Sequence, residues 1–310
     1  DGAATEFKIL EAVVAREPKK GQIVVAVIFA CDVPVPTESI FVHVHRMDFK
    51  DIFLNGKEIR SRNDGEKLWL LHDFQPERDQ KLEFSYSANP QQAMYFVSTQ
   101  PKIKTEEFQV WTQGQGKYTS HWLPSFDDTT EKLEFDLSVT YPKDKTVIAN
   151  GKLLETVAVN DSLLRWKFDM KNPMSSYLLA IAAGNFEKEE KVSKNGISLQ
   201  HFYPRGKEKL VEPTYRHTGE IMDFLETETG IDYPWQNYKQ VPVRDFLYAG
   251  MENTGTTIFS DIFLVDSTGF KDRNYVSVNA HEMAHQWFGN LVTAASGEHH
   301  WLQEGFATYY

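Results

Sequence analysis

The sequence predicts a multidomain chain, with an all-β domain over residues 1–203 followed by an α+β domain over residues 204–310 that is truncated inside a helix. Three observations carry that expectation. Short alternating runs rich in Val, Ile, Phe and Thr fill the chain up to about residue 203, helical patterning replaces them beyond it, and the last residues are an apolar helical stretch. At 310 residues, 41% hydrophobic and 13% aromatic, the chain can bury a sizeable core and hold about two domains.

Taken in order, Ile23 to Cys31 reads as a buried strand. Cys31 is the single cysteine, which excludes an internal disulfide and any multi-cysteine metal site. His43 and His45 alternate with Val42 and Val44, a sheet face rather than a second metal site. Asn55-Gly56 marks a tight hairpin. In Lys81 to Tyr86 the apolar face is Leu82, Phe84 and Tyr86. Leu133, Phe135, Leu137 and Val139 repeat the pattern, with Glu134, Asp136, Ser138 and Thr140 opposite. Beyond residue 204, Lys207 to Thr229 reads as one helix with Pro213 near its start and Gly230 as a left-handed stop. Asn274 to Gly289 reads as a second helix and Trp301 to Tyr310 as the start of a third. Its face of Leu302, Phe306 and Tyr309 needs partners, so a fragment of a longer protein is expected.

Composition excludes some functions. Acidic residues outnumber basic ones by 44 to 33, and the net charge of -11 repels a phosphate backbone, so nucleic acid is not an expected partner. The apolar runs at Ile23 to Cys31 and Tyr177 to Ala183 are far shorter than the roughly 20 residues of a membrane span. Compartment and oligomeric state stay open, since the chain starts at Asp1 and a leader preceding it would leave no trace.

The chemistry concentrates in His281-Glu282-Met283-Ala284-His285. Two histidines four apart project from one helix face at a separation suited to one metal ion. Zinc on neutral imidazoles makes a bound water acidic enough to supply hydroxide near neutral pH, and Glu282 is placed to accept its proton. A third protein ligand is required, with the fourth position left for water or substrate. Glu304, after 18 intervening residues, is the best candidate, although spacing alone fits a solvated glutamate at a helix start equally well.

These residues resemble the gluzincin aminopeptidases, the family that includes aminopeptidase N and the leukotriene epoxide hydrolase. The likeness runs through His281 to Thr293 and Trp301-Leu302-Gln303-Glu304-Gly305, in order and spacing. It extends to Gly250-Met251-Glu252-Asn253, to Thr112-Gln113-Gly114-Gln115 and to Leu123 through Asp128. Ala249 and Gly250 depart from the family pattern, where many members have glycine then alanine. The resemblance implies a thermolysin-like zinc peptidase domain with Zn2+ on His281, His285 and Glu304 and with Glu282 as general base. It also implies that Glu252 anchors the α-amino group of a peptide substrate, helped by Gln115, in a cleft lined by Gly250 and Met251. A transition-state tyrosine is expected beyond Tyr310, so the full-length protein is expected to be the aminopeptidase and this chain alone to have little or no activity. An epoxide hydrolase on the same zinc and a non-enzymatic scaffold are the alternatives. An endopeptidase is disfavoured by Glu252. His299 and His300 are expected at the surface or beside the site, and Trp111, Trp122, Trp235 and Trp287 in the core or the cleft walls.

Overall fold

The computed structural model describes residues 6–17, 22–97 and 108–310. They fall into two compact units. The first comprises Asp1–Tyr95, Gly114–Lys143 and Leu153–Tyr177, and the second Phe96–Gln113, Asp144–Lys152 and Leu178–Tyr310.

The first unit is built on an eight-stranded sheet with Phe135–Pro142, Glu6–Glu17, Gln22–Val33 and Glu77–Ala88 side by side in its middle. Glu6–Glu17 runs parallel to Phe135–Pro142, and the other pairs in that centre are antiparallel. Alternation explains the faces: Val25, Val27 and Phe29 are buried, as are Leu82, Phe84 and Tyr86 on the neighbouring strand. Phe29 and Phe84 pack with ring centroids 5.7 Å apart. Asn55 and Gly56 both have positive φ and join Met47–Leu54 to Lys57–Glu58, as the dipeptide predicts. The polar face predicted for residues 134–140 is only partly polar in surroundings. Ser138 and Thr140 are buried, on a strand in the middle of the sheet. Cys31 is buried, and burial followed by the Asp32 charge pushes its thiol up to about 12.

The second unit holds a five-stranded sheet in the order Phe186–Val192, Ser198–Pro204, Asn237–Val243, Thr256–Ser260, Gly250–Met251. It draws strands from both sides of residue 203. Ser198–Pro204, Asn237–Val243 and Thr256–Ser260 are parallel, and Gly250–Met251 is antiparallel to the last of them. Every residue of Asn237–Val243 is buried, as expected of a parallel strand covered on both faces. Even its lysine is: Lys239 Nζ donates to the carbonyls of Ala149 and Gly151, while burial pushes its pKa down to about 7.

Among the described residues, four α-helices complete this unit: α1 (Val211–Tyr215), α2 (Thr218–Thr229), α3 (Val276–Ala284) and α4 (His300–Tyr309). The single helix predicted over Lys207 to Thr229 is interrupted at Arg216 and His217. On either side of the break a residue turns inward, Tyr215 donating to Phe202 O and Thr218 to Gln240 Oε1. Gly230 ends α2 with φ of 68° and its N–H on Glu226 O, the left-handed stop read from the sequence. Buried Thr218, Gln240 and Asn279 close a triangle of hydrogen bonds of 2.7–2.9 Å that ties α2 and α3 to the sheet. Trp111, Trp122, Trp235 and Trp287 are buried, whereas Leu302, Phe306 and Tyr309 on α4 are exposed. No helix among the described residues is long and apolar enough to cross a membrane.

His201 breaks the rule that buried polar atoms find partners. Its ring stacks on Tyr215 with centroids 4.6 Å apart, and both ring nitrogens are buried without a hydrogen bond. His201→Phe keeps the stacking and removes the orphaned N–H, so it is expected to raise stability by about 1–3 kcal/mol at neutral pH. Burial, and then the Lys191 charge, lower the His201 pKa to about 3, against roughly 6.5 in the unfolded chain. The stability tied to the neutral ring is therefore whole above pH ~6.5 and is lost as the pH falls toward 3, since the unfolded chain takes up the proton first. The advantage of the variant should widen by up to ~1.4 kcal/mol per pH unit in that window. Denaturant titrations of both proteins at pH 7 and pH 5 measure this, and a variant no more stable than native at either pH rejects it.

Candidate metal centre

Helix α3 supplies the first two residues of the site. His281 and His285 are one turn apart, and their Nε2 atoms approach to 3.1 Å. Each Nδ1 faces an oxygen: that of His285 lies 2.9 Å from Phe288 O, and that of His281 lies 3.5 Å from Thr308 Oγ1. A ring that donates from Nδ1 presents the lone pair of Nε2, the form a metal requires. The His285 contact depends on Gly289. Its φ of 128° suits glycine, and a Cβ there would lie 3.2 Å from His285 Nδ1.

Glu304 arrives from α4, with Oε2 3.4 Å from His281 Nε2 and 3.6 Å from His285 Nε2. Buried Gln303 accepts the N–H of Ala294 and so ties α4 to the chain leaving α3. Three ligand atoms around a tetrahedral zinc at ~2.0–2.1 Å stand roughly 3.3–3.4 Å apart, which the three observed separations bracket. These residues fit a metal ion. His281 and Glu304 are part-exposed while His285 is buried, so the cluster opens on one side.

The surrounding charge also favours a cation. Burial alone would lower the His285 pKa, yet Glu252, Glu304 and Glu282 together raise it to about 9. The imidazoles of His281, His285 and His300 facing it hold Glu304 well below the usual carboxylate range. Glu282 moves the other way, pushed far up first by burial and then by the charge of Glu252. Its Oε2 is buried and has no hydrogen-bond partner.

Gly250 is what lets Glu282 lie where it does. A Cβ at residue 250 would sit 2.7 Å from both Cγ and Cδ of Glu282, and closer still to Oε1. The strand Gly250–Met251 then leads into Glu252, whose backbone carbonyl accepts from Asn290 Nδ2 at 2.7 Å and Gln286 Nε2 at 3.2 Å. The turn after α3 thus clamps Glu252 beside the histidines. Its carboxylate is buried, and Oε1 has no partner. Met251 is buried and accepts from Gln113 Nε2 through its sulfur at 3.4 Å. Gln115 belongs to the first unit, in a turn after Gly114.

Parts of this site are not legible in the sequence. The Gln286 and Asn290 clamps carry no local signal, because their partner lies more than thirty residues earlier in the chain. His300 was legible only through its spacing: it stands four residues before Glu304, and its Nε2 lies 3.0 Å from Glu304 Oε1. The alternation at His43 and His45 places neither in a metal cluster among the described residues. His43 Nδ1 accepts the N–H of Asp127, and His45 stacks on His121 with centroids 4.3 Å apart.

A family model described as the peptidase family M1 domain matches residues 214–310, and one described as the peptidase M1 N-terminal domain matches residues 11–178. The chain is 29% identical over 271 residues to glutamyl aminopeptidase of Homo sapiens, covering 84% of this chain and 26% of that protein. It is 31% identical over 244 residues to puromycin-sensitive aminopeptidase of Caenorhabditis elegans, covering 76% and 26%. Against endoplasmic reticulum aminopeptidase 1 of Homo sapiens it is 26% identical over 294 residues, covering 88% and 31%. The chain spans about a quarter to a third of the length of these curated relatives.

Proposed function

Because the chain belongs to the M1 peptidase family, we propose that it carries the metal-binding part of a zinc-dependent aminopeptidase that releases amino-terminal residues from peptides. The observation that carries this reading is the convergence of His281, His285 and Glu304 beside two buried carboxylate oxygens without partners, one on Glu282 and one on Glu252. His281, His285 and Glu304 would hold the ion. A bound zinc supplies Lewis acidity, polarising a substrate carbonyl and acidifying water.

The remaining work falls to side chains. Glu282 takes a proton from the attacking water through its unpartnered oxygen and returns one to the leaving amine. Burial and the neighbouring Glu252 make it a stronger base than a solvated carboxylate. Glu252 holds the protonated α-amino group of the substrate, which places the first peptide bond, and no internal one, within reach. Gly250 and Met251 line the path to it, and Gln115 keeps the part that the motif resemblance gives it, an oxygen for a further ammonium hydrogen. The division into a β domain over residues 1–203 and a peptidase domain over residues 204–310 is proposed on the change from strand to helical patterning there. The matched relatives carry aminopeptidase names, which favours this reading over an epoxide hydrolase on the same metal.

The full-length protein should cleave aminoacyl amides, lose that activity on chelation in step with its zinc content, and regain it when zinc is returned. Undiminished cleavage by protein shown to be metal-free would overturn the assignment, and so would protein that is zinc-loaded and inert on every aminoacyl amide.

A further inference from the structure

The carboxylate of Glu304 has two oxygens, and they face different partners. Oε2 faces His281 and His285, while Oε1 lies 3.0 Å from His300 Nε2. His300 and Glu304 are four residues apart on α4, the spacing that also puts His281 and His285 on one face of α3. Ligand atoms of Glu252, His300 and Glu304 all lie within 4.8 Å of one another. Glu252 is only 3% exposed, and its Oε1 makes no hydrogen bond. A buried carboxylate oxygen with no donor is costly unless a cation approaches it.

We propose that Glu252, His300 and Glu304 form a second divalent-cation site, bridged to the first through Glu304, and that a cation held there excludes the substrate ammonium from Glu252. One imidazole and two carboxylates suit Zn2+ or Co2+, with a vacant position toward the part-exposed side of His300 and Glu304. Ions bridged by one carboxylate stand about 3.5–4 Å apart, which the opposite-facing oxygens of Glu304 permit. This site rests on the proposed role of Glu252, because the cation and the peptide amino terminus compete for one carboxylate. Excess zinc therefore acts as an inhibitor competitive with substrate, while the first equivalent activates.

The experiment is a calorimetric Zn2+ titration of the full-length protein after chelation and dialysis, with metal analysis of each state, on native, His300→Leu and Glu252→Gln proteins. Native protein should bind two equivalents, the second more weakly, and both variants should keep the first and lose the second. In kinetics, micromolar zinc beyond the first equivalent should raise KM without lowering kcat, and His300→Leu should need more than about tenfold more zinc for the same effect, a lower bound set by losses typical of groups that only support a metal ligand. One equivalent in native protein at saturating zinc overturns the second site, as does a second equivalent that survives both substitutions. A first equivalent weakened by His300→Leu, with no second seen in native protein, makes His300 a group that orients Glu304 and likewise overturns it. Failure of native protein to bind any zinc overturns the catalytic reading as well, so the two failures are distinct.

Discussion

Glu282→Gln in the full-length protein is expected to retain its metal and to lose turnover by a factor on the order of 10²–10⁴, the usual cost of removing a general base. The substitution is nearly isosteric. The amide fills the space beside Gly250, where a Cβ would already come within 2.7 Å of Cγ and Cδ, so the local packing is preserved. What disappears is the ability to take a proton. In the native protein the acceptor is available because Glu282 Oε2 is buried with no hydrogen-bond partner to satisfy it. None of the three groups facing the metal position is altered, and zinc content should match native protein. Rates on an aminoacyl amide, measured with zinc content on the same sample, decide the matter. Near-native turnover in zinc-replete Glu282→Gln protein rejects the general-base assignment.

Glu252→Ala carries the second largest expected effect, a loss of roughly 1.5–3 kcal/mol of substrate binding, the range for a hydrogen bond to a charged group. Glu252 is held by its backbone, through the bonds from Gln286 and Asn290, so truncating the side chain leaves the clamp in place. The more specific readout is the amino terminus itself. An acetylated peptide lacks the positive charge, so native protein should discriminate strongly against it and the alanine variant much less. Catalytic efficiencies for matched free and acetylated peptides in both proteins measure this. Equal discrimination before and after the substitution removes Glu252 from amino-terminal recognition.

Much of the fold was legible because local periodicity decides faces. Leu82, Phe84 and Tyr86 alternate with polar residues and are buried, and Asn55-Gly56 turns the chain with the positive φ angles its residue types favour. Gly230 stops α2 for the same kind of reason. Periodicity failed where long-range contacts override it. Ser138 and Thr140 read as an outward face and are buried inside the eight-stranded sheet. The helix read over Lys207 to Thr229 is interrupted because Tyr215 and Thr218 answer to partners on other elements, Phe202 and Gln240.

The candidate site divides along the same line. The spacing of His281 and His285 by itself determined that two imidazoles share one helix face, since a four-residue step is close to one turn. With Glu282 between them, it determined that a carboxylate stands nearby. Only the tertiary structure decided which carboxylates join them. Glu304 lies 3.4 and 3.6 Å from the two rings because Gln303 ties α4 to the segment after α3. Glu252 is buried against the pocket because Gln286 and Asn290 grip its carbonyl, and Glu282 has its place because residue 250 lacks a Cβ. The bonds of an element fix the geometry within a turn, whereas distances between elements dozens of residues apart follow from how their surfaces pack. His300 belongs to the first kind, since it stands four residues before Glu304 on α4 and its Nε2 lies 3.0 Å from Glu304 Oε1.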